Sequence, residues 1–144
     1  MNKTNNKINT DIERLLKNHK NVAIVGMSDS PVKDSYKVGL YLQKAGYNIY
    51  PVNPKYTSIL GNKCYPNLKI IPDSIEIVDI FRKPEYVVPI VKEAIEIQAK
   101  VVWMQLGVIN TEAAALALEA GLQVVMDHCI KIEHRRHFPD ILSI

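Results

Sequence analysis

The stretch Val22-Ala23-Ile24-Val25-Gly26 constrains the fold more than any other part of the chain. It is a short, continuous apolar run that ends in glycine, the mark of a strand buried on both faces. Such a strand needs helices packed above and below it, and the sequence after it supplies them. Asp34 or Ser35 can cap a helix whose apolar positions Val38, Tyr41, Leu42 and Ala45 fall at i, i+3, i+4 and i+7, with Gly46 as the stop. Tyr47 to Val52 reads as the next strand, closed by Asn53-Pro54, which completes a βαβ unit.

The alternation continues. Lys55 to Asp73 is irregular and punctuated by Pro and Gly, and Ile75 to Phe81 is a third main strand. Pro84 opens a helix with Val87, Val91, Ala94 and Ile95 on one face. Val101 to Met104 is a strand, Thr111 to Ala120 an Ala-rich helix with Gly121 past its end, Leu122 to Met126 a strand, and Cys129 to Arg136 a closing helix. Before the first strand, Thr10 caps a short helix over 10–19 with Ile12, Leu15 and Leu16 on one face, and residues 1–9 read as flexible. The expectation is an α/β, Rossmann-like domain over residues 1–144, an open, mostly parallel sheet of about five strands with helices on both faces.

Composition narrows the function classes. A net charge of +3, with basic residues scattered except from Lys131 to His137, gives no footprint for nucleic acid. No apolar segment is long enough for a membrane span, and the polar Met1 to Thr10 stretch lacks the core of a secretory signal. Cys64 and Cys129 make no CxxC pattern and read as free thiols in a cytoplasmic protein.

In an open α/β sheet the ligand sits beyond the carboxyl ends of the strands, where the strand order reverses. The first such loop, from Gly26 to Ser35, leads into a helix N-terminus that attracts phosphate, and Ser28, Lys33 and Ser35 add donors. It is neither a G-x-G-x-x-G fingerprint, since Gly26 stands alone, nor a Walker A loop. The second strand ends in Pro51-Val52-Asn53-Pro54-Lys55, with a lysine where NAD-binding proteins carry an acid. A lysine there suits a phosphate on the ribose, as in NADP or coenzyme A, and the residues alone leave both open.

The ordered set of blocks resembles one family. Gly26-Met27-Ser28, Ser35 to Val38, Leu42 to Tyr47, Pro51 to Pro54, Val78-Asp79-Ile80-Phe81-Arg82, Trp103 to Gly107, and Val124 to Asp127 with Cys129, Lys131, Glu133 and His134 are similar to small bacterial CoA-binding domain proteins. These are stand-alone relatives of the N-terminal domain of the succinyl-CoA synthetase α subunit. The resemblance covers residues 20–137 and implies coenzyme A, or an acyl-CoA, with its adenosine diphosphate over the first loop and second strand. Gly26, Met27, Ser28, Lys33, Ser35 and Tyr36 would match the pyrophosphate-facing loop. Val52, Asn53, Pro54 and Lys55 would match the ribose and phosphate contact. Phe81 and Arg82 would flank the nucleotide or the pantetheine entry, with Gln105 beyond them. Lys33 stands where the family often has arginine, so a point charge replaces a bidentate fork.

Several residues also have plainer readings. Trp103 reads as a core or wall residue, and Cys129 as an inert thiol rather than a reactive one. His128, Cys129, His134 and His137 match no standard zinc spacing. Asp127 has no nucleophile or second acid beside it in sequence. The expectation is therefore a binding module for a small nucleotide ligand with no catalytic constellation, and no ligase activity by this chain alone. Rival readings are an NADP(H)-using redox enzyme or sensor, and a partner domain that docks to a larger acyl-CoA synthetase. A homodimer is compatible with either.

Overall fold

The computed structural model describes residues 7–140. In chain order it runs α1 (Ile12–Asn18), β1 (Asn21–Val25), α2 (Asp34–Lys44), β2 (Asn48–Val52), β3 (Ser58–Ile59), β4 (Asn62–Lys63), β5 (Ile77–Ile80), a 3-10 turn (Pro84–Tyr86) leading into α3 (Val87–Glu96), β6 (Val101–Met104), α4 (Thr111–Glu119), β7 (Gln123–Val125) and α5 (Ile130–His137). Five strands form one parallel sheet in the order β2-β1-β5-β6-β7. This is the Rossmann-like α/β architecture expected.

The three central strands are apolar because both of their faces are covered. Ala23, Val25, Val78, Ile80, Val102 and Met104 face one way, into a core shared with Val87 and Val91 of α3 and Ala113 and Ala117 of α4. Val22, Ile24, Ile77, Val101 and Trp103 face the other way, against Leu15 and Leu16 of α1, Val38 and Leu42 of α2, and Ile130 of α5. Alternation along each strand sends neighbours to opposite layers. Edge strand β2 tolerates Pro51 because the proline's backbone faces the open side of the sheet, where the Tyr65 N–H donates to the Pro51 carbonyl at 2.9 Å. In the Lys55 to Asp73 stretch the ordered piece is the β3–β4 hairpin, turned by Leu60 (φ 53°) and Gly61 (φ 76°).

Three local expectations change. Residues 1–6 lie outside the described residues, but Ile8 and Asn9 are docked rather than flexible. Ile8 pairs with Val124 on the outer edge of β7, and Asn9 exchanges side-chain hydrogen bonds with both the N–H (2.7 Å) and the carbonyl (3.2 Å) of Met126. An edge strand has unpaired backbone groups, and Asn9 partners two residues there, Val124 of β7 through its own N–H (2.9 Å) and Met126 just past the strand through its side chain. Helix α1 starts later than Thr10: Asp11 is its N-cap, at φ 53° and without a side-chain capping bond. At α2, Lys33 takes the N-cap position and neither Asp34 nor Ser35 caps it, because the Ser35 hydroxyl is engaged elsewhere.

Candidate functional site

The chain leaves β1 outward to β2 and later returns to β5 on the other side of β1, so the sheet's switch point lies between β1 and β5. Gly26 occupies it. Its N–H donates to the Val52 carbonyl (2.8 Å), and the Phe81 N–H donates to the Val25 carbonyl (2.8 Å), so three strand ends meet there. Gly26 has φ +85°, and a Cβ on it would lie 2.3 Å from the Phe81 carbonyl oxygen. Only glycine lets the two loops approach this closely.

The loop that follows is held by its own polar groups. The Ser28 N–H donates to Ser35 Oγ (2.9 Å), the Ser30 N–H to Ser28 Oγ (3.0 Å), and Asn53 Nδ2 to the Met27 carbonyl (3.0 Å). Ser28 and Ser35 each accept a backbone hydrogen and keep their own hydroxyl hydrogen to donate. Asn53 Oδ1 accepts from the Lys55 N–H (3.0 Å), which fixes the turn that carries Lys55.

Two clefts flank the switch point. The first, of about 510 Å³, lies over the ends of β1 and β2; Gly26, Val52, Asn53, Pro54, Lys55 and Arg82 line it. Its far wall is the Pro66–Leu68 segment, held to α3 where Glu93 accepts the Leu68 N–H. The second, of about 850 Å³, lies over the ends of β5 and β6, between the first turn of α2 and α5. Phe81, Arg82 and Gln105 line it. Arg82 is the wall common to both, its guanidinium 4.7 Å from the Tyr86 ring centroid.

The expected residues therefore divide. Eight of them line a cleft. Met27, Ser28, Lys33, Ser35 and Tyr36 line neither. Met27 is fully buried, its Cε packed where a Cβ on Gly39 would fall, so its side chain belongs to the core beneath α2. Gln105 lines the second cleft but is almost wholly buried, and its Oε1 accepts the Ile130 N–H (3.0 Å). It thus anchors the start of α5. Trp103 is a core residue, with Nε1–H donating to the His128 carbonyl (2.8 Å).

Lys37, Lys83, Lys131 and Arg135 on the second cleft, and Glu93 on the first, were not expected there. The available signal was weak: Lys131 and Arg135 are spaced i, i+4, which places both on one side of α5. With Arg82, the second cleft carries five cationic side chains against one acid, Asp34. None of the five is ion-paired with a carboxylate among the described residues. Lys131 and Arg135 instead lie 5.8 Å from the Tyr41 ring centroid. Burial raises the pKa of the Tyr41 phenol and the Arg135 charge opposes the rise.

Residues 20–135 match the CoA binding domain family. This chain belongs to that family. Among its relatives, the uncharacterised protein YneT of Bacillus subtilis (strain 168) is 40% identical over 129 residues, covering 90% of this chain and 96% of that protein. A hypothetical protein from Pyrococcus horikoshii OT3 superposes with a TM-score of 0.86 at 48% identity, covering 88% of this chain and 89% of that one. The ADP-forming acetate–CoA ligase of Methanocaldococcus jannaschii is 40% identical over 74 residues, which is 51% of this chain but only 10% of the ligase. The family domain is thus related to a small part of much larger CoA ligases. No helix among the described residues is long and apolar enough to cross a membrane.

Proposed function

We propose that the protein binds coenzyme A or an acyl-CoA as a non-catalytic module. The observation that carries this reading is a pair of clefts that share Arg82 as a wall, the first of them lined by Gly26, over the switch point of a CoA-binding-family sheet. The ribose phosphate would sit at Lys55, on the turn fixed by Asn53. The pyrophosphate would cross the Gly26 loop beside Arg82, in front of the turn that the Ser28 and Ser35 hydrogen bonds hold. The pantetheine arm would then enter the second cleft past Phe81. The end of β2 carries no acid to accept the ribose hydroxyls of NAD, which favours a ligand with a ribose phosphate.

A second reading, a domain that works docked to a larger synthetase, is supported by the partial match to the acetate–CoA ligase. Thermal-shift titration with CoA, acetyl-CoA, NADP and NAD tests both. A ligand that binds only the folded state raises the melting temperature with concentration. CoA should stabilise more than NADP, and Lys55→Ala should weaken CoA binding by roughly ten-fold, as expected for loss of one charge-assisted phosphate contact. Stabilisation by NADP alone would refute the CoA reading. No stabilisation without an added synthetase subunit would favour the docked domain.

A further inference from the structure

The second cleft holds more positive charge than the proposed ligand accounts for. The pantetheine arm is neutral, and the pyrophosphate lies at the Gly26 end, where Arg82 already stands over the glycine. Lys131 and Arg135 are on the opposite wall, on α5, with Lys37 facing them from α2. No carboxylate of the described residues pairs with any of the three. The same lining includes the apolar Val108, Leu106 and Ile132, the last two 66% and 50% exposed. Apolar lining beside cations on the α5 wall fits an aliphatic chain that ends in a negative charge. The whole chain carries only +3, so this concentration of four excess positive charges is a local feature of the cleft.

We propose that the second cleft receives the acyl end of a CoA thioester and favours acyl groups bearing a carboxylate, which Lys131 and Arg135 engage. This rests on the CoA reading above and narrows it to a substrate class. The fold holds the pair in place: Gln105 fixes the first residue of α5, and the Tyr41 ring lies beside both cations. Because the carboxylate would stay partly hydrated, each pair is weak and screened by salt.

The test is isothermal titration of the protein with CoA, hexanoyl-CoA and adipoyl-CoA, thioesters with six-carbon acyl groups that differ in one terminal carboxylate. At low salt, adipoyl-CoA should bind about three- to ten-fold more tightly than hexanoyl-CoA, and the ratio should fall towards one in high salt. The Lys131→Gln/Arg135→Gln double variant should bind the two alike. Arg135→Gln alone should lose part of the preference, and it serves if the double variant fails to fold. CoA binding without a preference for adipoyl-CoA, or a preference that survives the double substitution, overturns this inference and leaves the CoA reading standing. Failure of CoA itself to bind overturns both.

Discussion

Asp79 lies in the middle of β5, between Ile24 of β1 and Trp103 of β6, with none of its surface exposed and neither carboxylate oxygen hydrogen-bonded among the described residues. Burial alone pushes its pKa well above the usual carboxylate value. In the unfolded chain it ionises near pH 3.9, so above that pH the folded protein loses up to about 1.36 kcal/mol of stability per pH unit for as long as burial keeps the carboxyl protonated. Asp79→Asn keeps the shape and removes the titration. The amide that replaces the carboxyl is as short of partners as the carboxyl was, so the variant should gain on wild type as the pH rises above about 4. The pH dependence separates this from a simple packing change. A raised folded-state pKa means the native protein binds the extra proton, so wild-type stability falls as pH rises from about 4 towards the folded pKa. The Asn variant lacks that slope, and its advantage should shrink towards zero or reverse near pH 4. Urea unfolding of both proteins at several pH values from 4.5 to 7.5 measures the difference, with other carboxylates cancelling. An Asn variant less stable than wild type by the same amount at every pH would refute the argument, and would mean that Asp79 is ionised and solvated or paired.

Gly26→Ala should destabilise the protein by about 2 kcal/mol or more, because alanine at φ +85° is strained and its Cβ would meet the Phe81 carbonyl; a lowered urea midpoint with weakened CoA binding is the expected result. His134 is buried against Tyr41, Tyr47 and Phe138, with Nδ1 2.8 Å from the Tyr41 hydroxyl. Burial, then the Lys20 charge, lowers its pKa. The unfolded state therefore binds the proton more tightly, and stability should drop as pH falls from about 6.5 through the folded value; melting curves of His134→Gln should show a smaller loss over that window.

How much was legible follows from which interactions are local. The buried run at Val22–Val25 and the 3.6-residue spacing of Val38 and Leu42, or of Val87, Val91 and Ala94, record directly which side of each element is covered, so the sheet and its helices could be read in advance. That Gly26, Asn53 and Lys55 stand at strand ends, where they line the first cleft, was also readable, because a strand's carboxyl end is defined by the strand that precedes it. Met27 follows the glycine in the motif and reads as a loop residue, and only the packing of α2 over it shows that its side chain fills the core. Asn9 looked like part of a polar tail, and nothing local announces a partner 117 residues away.

The sequence by itself determined the strand and helix order, the glycine at the switch point and the absence of an acid after β2, since each depends on a few neighbouring residues. Only the tertiary structure decided that Arg82 walls two clefts, that Lys37 of α2 faces Lys131 and Arg135 of α5, and that Asp79 has no hydrogen-bond partner among the described residues. These depend on where distant segments come to rest once the two layers close on the sheet, and that information lies in no single stretch of the chain.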